Sequence, residues 1–257
     1  SHELRTPMTN IVGYAELLQD GLDADAPRVL LSDYIERLGT NSERMITLIE
    51  ELLTFSRVES SELEMKLAAT DAVALVNAAV HALESAITRS EVNLALDLPS
   101  AGVSVLVDPF HFERVLINLL GNAIKFTPAG GQVKVAVTAV GDQVDFTIED
   151  TGMGMSPEVV SQIFTPFYRA PEATRRQIQG TGLGMPIVQG IVRAHSGTVA
   201  IESEEGVGTK CQVSIPRLDD AELPTLFDVD AQAVSALGST NRVALDHNRP
   251  RVGDDPS

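Results

Sequence analysis

A chain of 257 residues, 44% of them hydrophobic, is long enough for two small domains or one large one. Its formal charge of -17 argues against a nucleic-acid surface, which needs basic clusters, but not against a nucleotide pocket neutralised by metal and backbone N–H groups. The lone cysteine, Cys211, excludes an internal disulfide and a thiolate metal cluster; its place in an alternating run predicts a packed strand residue. No apolar run reaches the roughly 18 residues of a membrane span, and no signal segment is present. The start at Ser1, without Met, reads as the edge of an excised fragment, which leaves room for a membrane anchor or sensor region upstream.

Leu4, Met8, Ile11, Ala15, Leu18 and Leu22 are spaced 4, 3, 4, 3 and 4, an a/d stripe on a helix ending near Gly21. Pro7 interrupts its first turns and should bend the helix or leave a free carbonyl near residue 3. A second stripe follows in Ile35, Leu38, Ser42, Met45, Ile49, Leu52 and Ser56, with Leu31 and Leu63 extending the seam and Leu48, Leu53 and Phe55 widening it. Two helices alone cannot bury that surface, so an antiparallel hairpin forming a dimeric four-helix bundle is predicted for residues 1–66.

From Asp71 the pattern changes. Asp71 is placed to cap a helix carrying Val73, Leu75, Val76 and Ala79. Val92–Leu98 and Val103–Val107 read as strands, and Phe110–Phe126 as an amphipathic helix. Val133 to Val137 and Val144 to Ile148 alternate around Gly141-Asp142 and predict a hairpin. A helix near Ser156–Ile163, a second over Leu183–Ala194 and strands at 197–203 and 209–215 complete a two-layer α/β sandwich with a mixed sheet over residues 71–217. The acid-rich segment 218–257 reads as a loosely ordered tail or linker.

On the Phe110–Phe126 helix, Asn118 and Asn122 are four apart and share one side, with Lys125 a turn further. Amide oxygens suit a cation and an ammonium suits its polyanion. At the end of the Val144–Ile148 strand, Asp150 is placed to accept from a ligand amine, while Gly152 and Gly154 let backbone approach a ring. Alone, this pattern equally fits an ordinary strand-to-helix turn. Gly180-Thr181-Gly182-Leu183-Gly184 runs into an apolar helix, where free N–H groups form an anion site. It lacks the ending of a P-loop and the setting of a dinucleotide fingerprint. Gly206 to Thr209 forms a third glycine segment, or simply a hairpin turn. Between the first two glycine segments, Phe164 and Phe167 are read as anchors of a flap whose polar middle crosses the phosphates, with Arg169 and then Arg175, Arg176 and Gln177 following; two core aromatics beside an exposed loop is the plainer alternative.

Taken in order, these segments resemble the catalytic core of a sensor histidine kinase of the two-component type. His2-Glu3-Leu4-Arg5-Thr6-Pro7 matches that family's phosphoacceptor motif. Asn118 to Thr127 resembles its asparagine box, Asp150 to Met155 its first glycine box, Phe164 to Arg169 its phenylalanine box, and Gly180 to Gly184 with Gly206 to Thr209 its other glycine boxes. The likeness covers roughly residues 1–217. It departs at Thr165, where an acid is common, and in the missing turns before His2.

The resemblance implies ATP and Mg²⁺ as cofactors, bound by the ATPase domain of the gyrase, Hsp90, histidine kinase and MutL superfamily. It implies Mg²⁺ held through Asn122, phosphates near Asn118 and Lys125, adenine read by Asp150 with Thr209, and Gly152, Gly154, Arg169, Gly180, Thr181, Gly182, Leu183 and Gly184 around the nucleotide. His2 would take the γ-phosphoryl group, Glu3 would act as base, and Thr6 would hold a water for regulator dephosphorylation. The implied partners are a second copy, as homodimer, and the receiver domain of a response regulator. The core is expected in the cytoplasm, without membrane contact of its own, and the full-length protein at the inner face of the cell membrane. Two rivals stand beside it: an ATPase or Ser/Thr kinase of the same superfamily, and a dimeric scaffold with a degenerate pocket. The heptad helices with His2 weigh against the first, and intact Asn122, Asp150, Gly180, Gly182 and Gly184 against the second.

Overall fold

The computed structural model describes residues 2–24, 26–176, 178 and 180–218, with side chains from Arg5 onward. The tail beyond Leu218 lies outside the described residues. Helices α1 (His2–Asp23) and α2 (Arg28–Glu59) form an antiparallel hairpin, and α1 runs unbroken through Pro7. The Asn10 amide donates to Asn41 Oδ1 at 3.2 Å, and the Tyr14 and Tyr34 rings lie 6.3 Å apart, fixing the alignment of the two helices. Met8, Leu22, Ile35, Ile49 and Leu52 from the two stripes remain exposed on the single hairpin.

Leu63 does not extend the seam. Ser60 caps α2 through backbone bonds, Ser61 takes a left-handed φ of 55°, and Leu63 turns onto the core of the sandwich instead. Phe55, read as part of a broad bundle face, packs against that same core.

The sandwich begins with β1 (Ala68–Asp71), which pairs antiparallel with β3 (Ser104–Val107) as a separate small sheet. Neither that pairing nor the short helices α4 (Glu84–Ser90) and α7 (Pro171–Arg175) was expected; each is too short to carry a period of its own. The main sheet contains β2 (Asn93–Asp97), β4 (Gln132–Val140), β5 (Gln143–Asp150), β6 (Thr198–Glu204) and β7 (Gly208–Pro216), in the order β2-β4-β5-β7-β6. It is mixed, as predicted: β2 runs parallel to β4 and the remaining pairs are antiparallel.

Val133, Val135, Val137, Val144, Phe146, Ile148, Val213 and Ile215 point from one face into the core, where α3 (Ala72–Ala82), α5 (Pro109–Phe126) and α8 (Gly184–Ala194) cover them. The Phe112 and Phe146 rings meet edge to face at 4.9 Å. Helix α6 (Pro157–Gln162) follows the Asp150–Met155 segment in the chain and precedes Gly180–Gly184.

Caps set where the site-bearing helix begins. Asp71 accepts from Val73 N at 3.0 Å, as its sequence position predicts. Asp108 caps α5 by accepting from His111 N at 3.0 Å, while its other oxygen takes Lys66 N at 2.7 Å. The backbone N–H of Asp108 donates to Nε2 of buried His195, whose Nδ1 lies 2.8 Å from the Ile191 carbonyl. This ring is held neutral, with the proton on Nδ1.

Burial holds the His195 pKa below the ordinary histidine value, only partly offset by the Ile191 bond and Asp108. A depressed folded value means that the unfolded chain binds the proton first. The stabilisation is therefore present above about pH 6.5 and lost as pH falls below it. In urea melts at pH 7.5 and pH 5.5, His195→Leu should lower stability by about 1–3 kcal/mol at the higher pH and shrink the difference between the two pH values. An unchanged difference would remove His195 from the acid response.

Candidate nucleotide site

One cavity of about 400 Å³ opens between α5, the end of β5 and the segment leading into α8. It gathers Asn118, Asn122 and Lys125 from α5, Asp150 and Gly154 after β5, Arg169, Gly180, Thr181, Gly182 and Gly184 from the glycine-rich side, and Thr209 from β7. Most of the predicted set is thus brought to one place. Leu183 is not: it is 2% exposed and belongs to the core. Gly152 supports the wall rather than lining it, donating its N–H to Asp150 Oδ1 at 2.8 Å. Thr6 lies in α1, away from the cavity lining. His2 and Glu3 occupy the first turn of α1, and their side chains lie outside the described residues.

The two ends of the cavity differ in chemistry. Asp150 accepts from Gly152 N and, at 3.3 Å, from Thr209 N. Both bonds use Oδ1, which leaves Oδ2 to meet a ligand amine. Burial pushes its pKa above the usual carboxylate value despite those two bonds. Around it stand Ile148, Met153, Met155, Val159 and Ile163, an apolar slot suited to a flat ring. Cys211 lies on this wall too, its thiol pushed up to about 12 by burial and by Asp150, so it is inert packing.

At the other end Asn118 Nδ2 donates to the Arg114 carbonyl at 2.9 Å, and Asn122 Nδ2 approaches Met185 Sδ at 3.6 Å. With both amide nitrogens engaged, the oxygens remain for a cation. Burial drives the Lys125 ammonium below its ordinary pKa, and the neighbouring Arg169 and Arg44 add repulsion while Glu51 offsets it. Crowded cations of this kind are relieved by an anion.

The glycines leave the space that such a ligand needs. A Cβ on Gly184 would stand 2.8 Å from Asn118 Oδ1, and one on Gly180 3.0 Å from Lys125 Nζ. Gly182 adopts φ 73° against the Phe167 and Tyr168 backbone, and its carbonyl accepts from Phe167 N at 3.0 Å. Thr181 Oγ1 accepts from Leu183 N at 3.1 Å, ordering the approach to α8. No side chain caps α8, so its first N–H groups remain available to an anion. These residues fit a nucleotide with a hard cation, which Asn122 would hold.

The flap differs from expectation. Phe164 is packed on the core, but Phe167 is 51% exposed and meets Phe55 of α2 edge to face, 6.4 Å away. A φ of 64° turns it outward. Arg175 and Arg176 both pair with Glu172 at 2.7 Å and do not line the cavity. Arg169 does, with Nη2 donating to the Ile178 carbonyl at 2.6 Å.

What sequence reasoning missed is a wall built by α2. Arg44, Thr47, Leu48 and Glu51 line the cavity, Thr54 Oγ1 accepts from Arg114 Nη1 at 2.6 Å, and Val58 fills the space above Gly190. The signal was present: Arg44, Leu48, Glu51, Phe55 and Val58 are spaced 4, 3, 4 and 3, a second stripe beside the heptad seam.

Comparison with known proteins agrees with this layout. Residues 1–61 match the His Kinase A (phospho-acceptor) domain, and residues 107–219 match the Histidine kinase-, DNA gyrase B-, and HSP90-like ATPase family. The chain belongs to the sensor histidine kinases. Histidine protein kinase DivJ of Caulobacter vibrioides is 32% identical over 218 residues, covering 85% of this chain and 36% of DivJ. The histidine kinase AdeS of Acinetobacter baumannii superposes with a TM-score of 0.64 at 27% identity, over 85% of this chain and 99% of that one. Full-length ShkA, solved in complex with AMPPNP, gives a TM-score of 0.64 at 27% identity over 84% of this chain and 44% of its own. The chain thus spans about a third of the length of a curated kinase such as DivJ. Among the described residues of this histidine kinase core, no helix is long and apolar enough to cross a membrane.

Proposed function

We propose that this core binds Mg²⁺-ATP in the sandwich of residues 71–217, phosphorylates His2 on the hairpin of residues 1–66, and passes the phosphoryl group to an aspartate of a response-regulator receiver domain. The observation that carries it is one cavity with a half-buried acid, Asp150, at its apolar end and the crowded cations Lys125, Arg169 and Arg44 at the other. The AMPPNP bound to ShkA supports the nucleotide half of this reading.

In the forward step a nitrogen of the His2 imidazole attacks the γ-phosphorus of ATP. The bond to the β,γ-bridging oxygen breaks, and ADP leaves; Asn122 would hold the Mg²⁺ that neutralises phosphate charge. Glu3 orients the ring and takes its proton. An imidazole with pKa near 6.5 is mainly neutral at pH 7 and so nucleophilic. Because the chemistry asks for little beyond in-line placement and charge neutralisation, Lys125, Arg169 and the α8 N-terminus are the groups this chain contributes to it. In the second step the P–N bond breaks as the regulator's carboxylate oxygen takes the phosphorus.

Incubation with γ-labelled ATP tests the reading: the product should carry label that is acid-labile and base-stable. Acid-stable, base-labile label would instead indicate a Ser/Thr kinase.

Two further roles follow from α1 and α2. Thr6 lies four residues after His2 on an unbroken helix, hence on the same side. Its hydroxyl is suited to hold a water against a regulator's acyl phosphate. Thr6→Ala should leave autophosphorylation unchanged and slow decay of the phosphorylated regulator; equal decay rates would remove the phosphatase role. The exposed Met8, Val12, Leu22, Ile35, Ile46, Ile49 and Leu53 require cover, and a second hairpin supplies it in a four-helix bundle. Sedimentation at rising concentration should show a homodimer, whereas a monomer throughout would sink the bundle.

A further inference from the structure

Helix α2 brings one acid to the phosphate end of the cavity, and nothing in the mechanism above uses it. Glu51 lines the cavity beside Arg44, Asn118, Asn122 and Lys125. Its Oε2 is buried and has no hydrogen-bond partner. A carboxylate oxygen in that state is costly to keep unless surrounding charge holds it there. The charge is present: Lys125 and Arg114 both feel Glu51 as a favourable neighbour, and Arg44 and Arg169 add to the same positive field around Lys125. A lone carboxylate among cations and amides is what one end of a polyphosphate would look like to this cavity.

We propose that Glu51 is an internal competitor of the nucleotide's phosphates and so determines how strongly the site favours a charged over an uncharged adenine ligand. A triphosphate brings several negative charges to the end where Glu51 sits, and the two anions cannot share the same cations at full strength. Phosphate entry therefore expels Glu51. Since α2 is held on the sandwich partly through this residue, alongside the Thr54–Arg114 hydrogen bond, the Phe55–Phe167 contact and Val58 over Gly190, entry also loosens α2. By linkage the coupling is reciprocal: whatever seats α2 more firmly weakens the nucleotide by the same factor. Adenosine, which fills only the Asp150 end, does not meet Glu51.

This rests on the nucleotide reading above, and the test separates the two. The 257-residue chain is titrated calorimetrically with a non-hydrolysable ATP analogue plus Mg²⁺ and, separately, with adenosine. If the unaltered protein binds neither, the nucleotide reading itself falls. If it binds them, Glu51→Gln, which keeps shape and removes charge, should tighten the analogue about tenfold, the scale of one like charge removed from a partly shielded anion site, and leave adenosine unchanged. Equal change in both ligands, no change in either, or weaker analogue binding overturns the proposal; the last outcome would make Glu51 a ligand of the metal rather than a rival of the phosphates. Amide exchange supplies the second readout. In the unaltered protein the analogue should speed exchange over residues 44–58 and adenosine should not, and equal exchange in all states would equally overturn it.

Discussion

Replacing His2 by glutamine is expected to abolish acid-labile phosphate on the protein while leaving nucleotide affinity where it was. Glutamine offers no nucleophilic nitrogen, because its amide lone pair is delocalised, so the forward step loses its acceptor entirely. Nucleotide contacts assigned to α5, β5, β7 and the approach to α8 are all remote in sequence from position 2. Filter-bound label and calorimetric affinity, measured on the same preparation, separate the two effects. Retained acid-labile label would place the phosphoacceptor elsewhere, and the remaining histidines, among them half-buried His111, would have to be searched.

Asp150→Ala should act in the opposite way, on binding. The carboxylate fixes the Gly152 and Thr209 backbone through Oδ1, and on the proposed reading it would also meet the amine of the adenine ring. Removing it would strand two part-buried N–H groups and leave the ligand's amine without an acceptor. The expected cost in ATP affinity is about 1–3 kcal/mol, or roughly 5- to 150-fold. Asp150→Asn keeps shape and one acceptor, so its loss should be smaller. Because burial already raises the Asp150 pKa, affinity should fall as pH drops through the acidic range, and that dependence should vanish in Asp150→Ala. Unchanged affinity in Asp150→Ala would remove the adenine role.

The sandwich was legible because its signals are periodic and local. Val133 to Val137 and Val144 to Ile148 alternate around a glycine turn, and Phe112 to Ala123 repeats every three or four residues, so each reads without tertiary knowledge. The site was legible for a different reason. Asn118, Asn122, Asp150 and the glycines carry residue types whose chemistry narrows the ligand, and their order along the chain matches a known family. What escaped were features that depend on long-range packing. Leu63 continues a heptad seam and Phe55 lies beside it, and the seam alone offers no reason to send them to the sandwich. Phe167 looks like a core aromatic until its positive φ is known. Glu51 resembles any surface acid on a helix, and only the fold shows that it faces a cavity. Leu183 sits among pocket glycines in the motif, but its apolar side chain goes where the core can bury it.

The wall that α2 gives the cavity bears on how compounds against this protein would be chosen. The sandwich alone presents a pocket common to gyrase-like and Hsp90-like ATPases, and molecules selected on an excised sandwich would inherit that breadth. Arg44, Thr47, Leu48 and Glu51 come from a helix that belongs to the kinase architecture. A molecule reaching both Asp150 and that helix would therefore draw its selectivity from the hairpin.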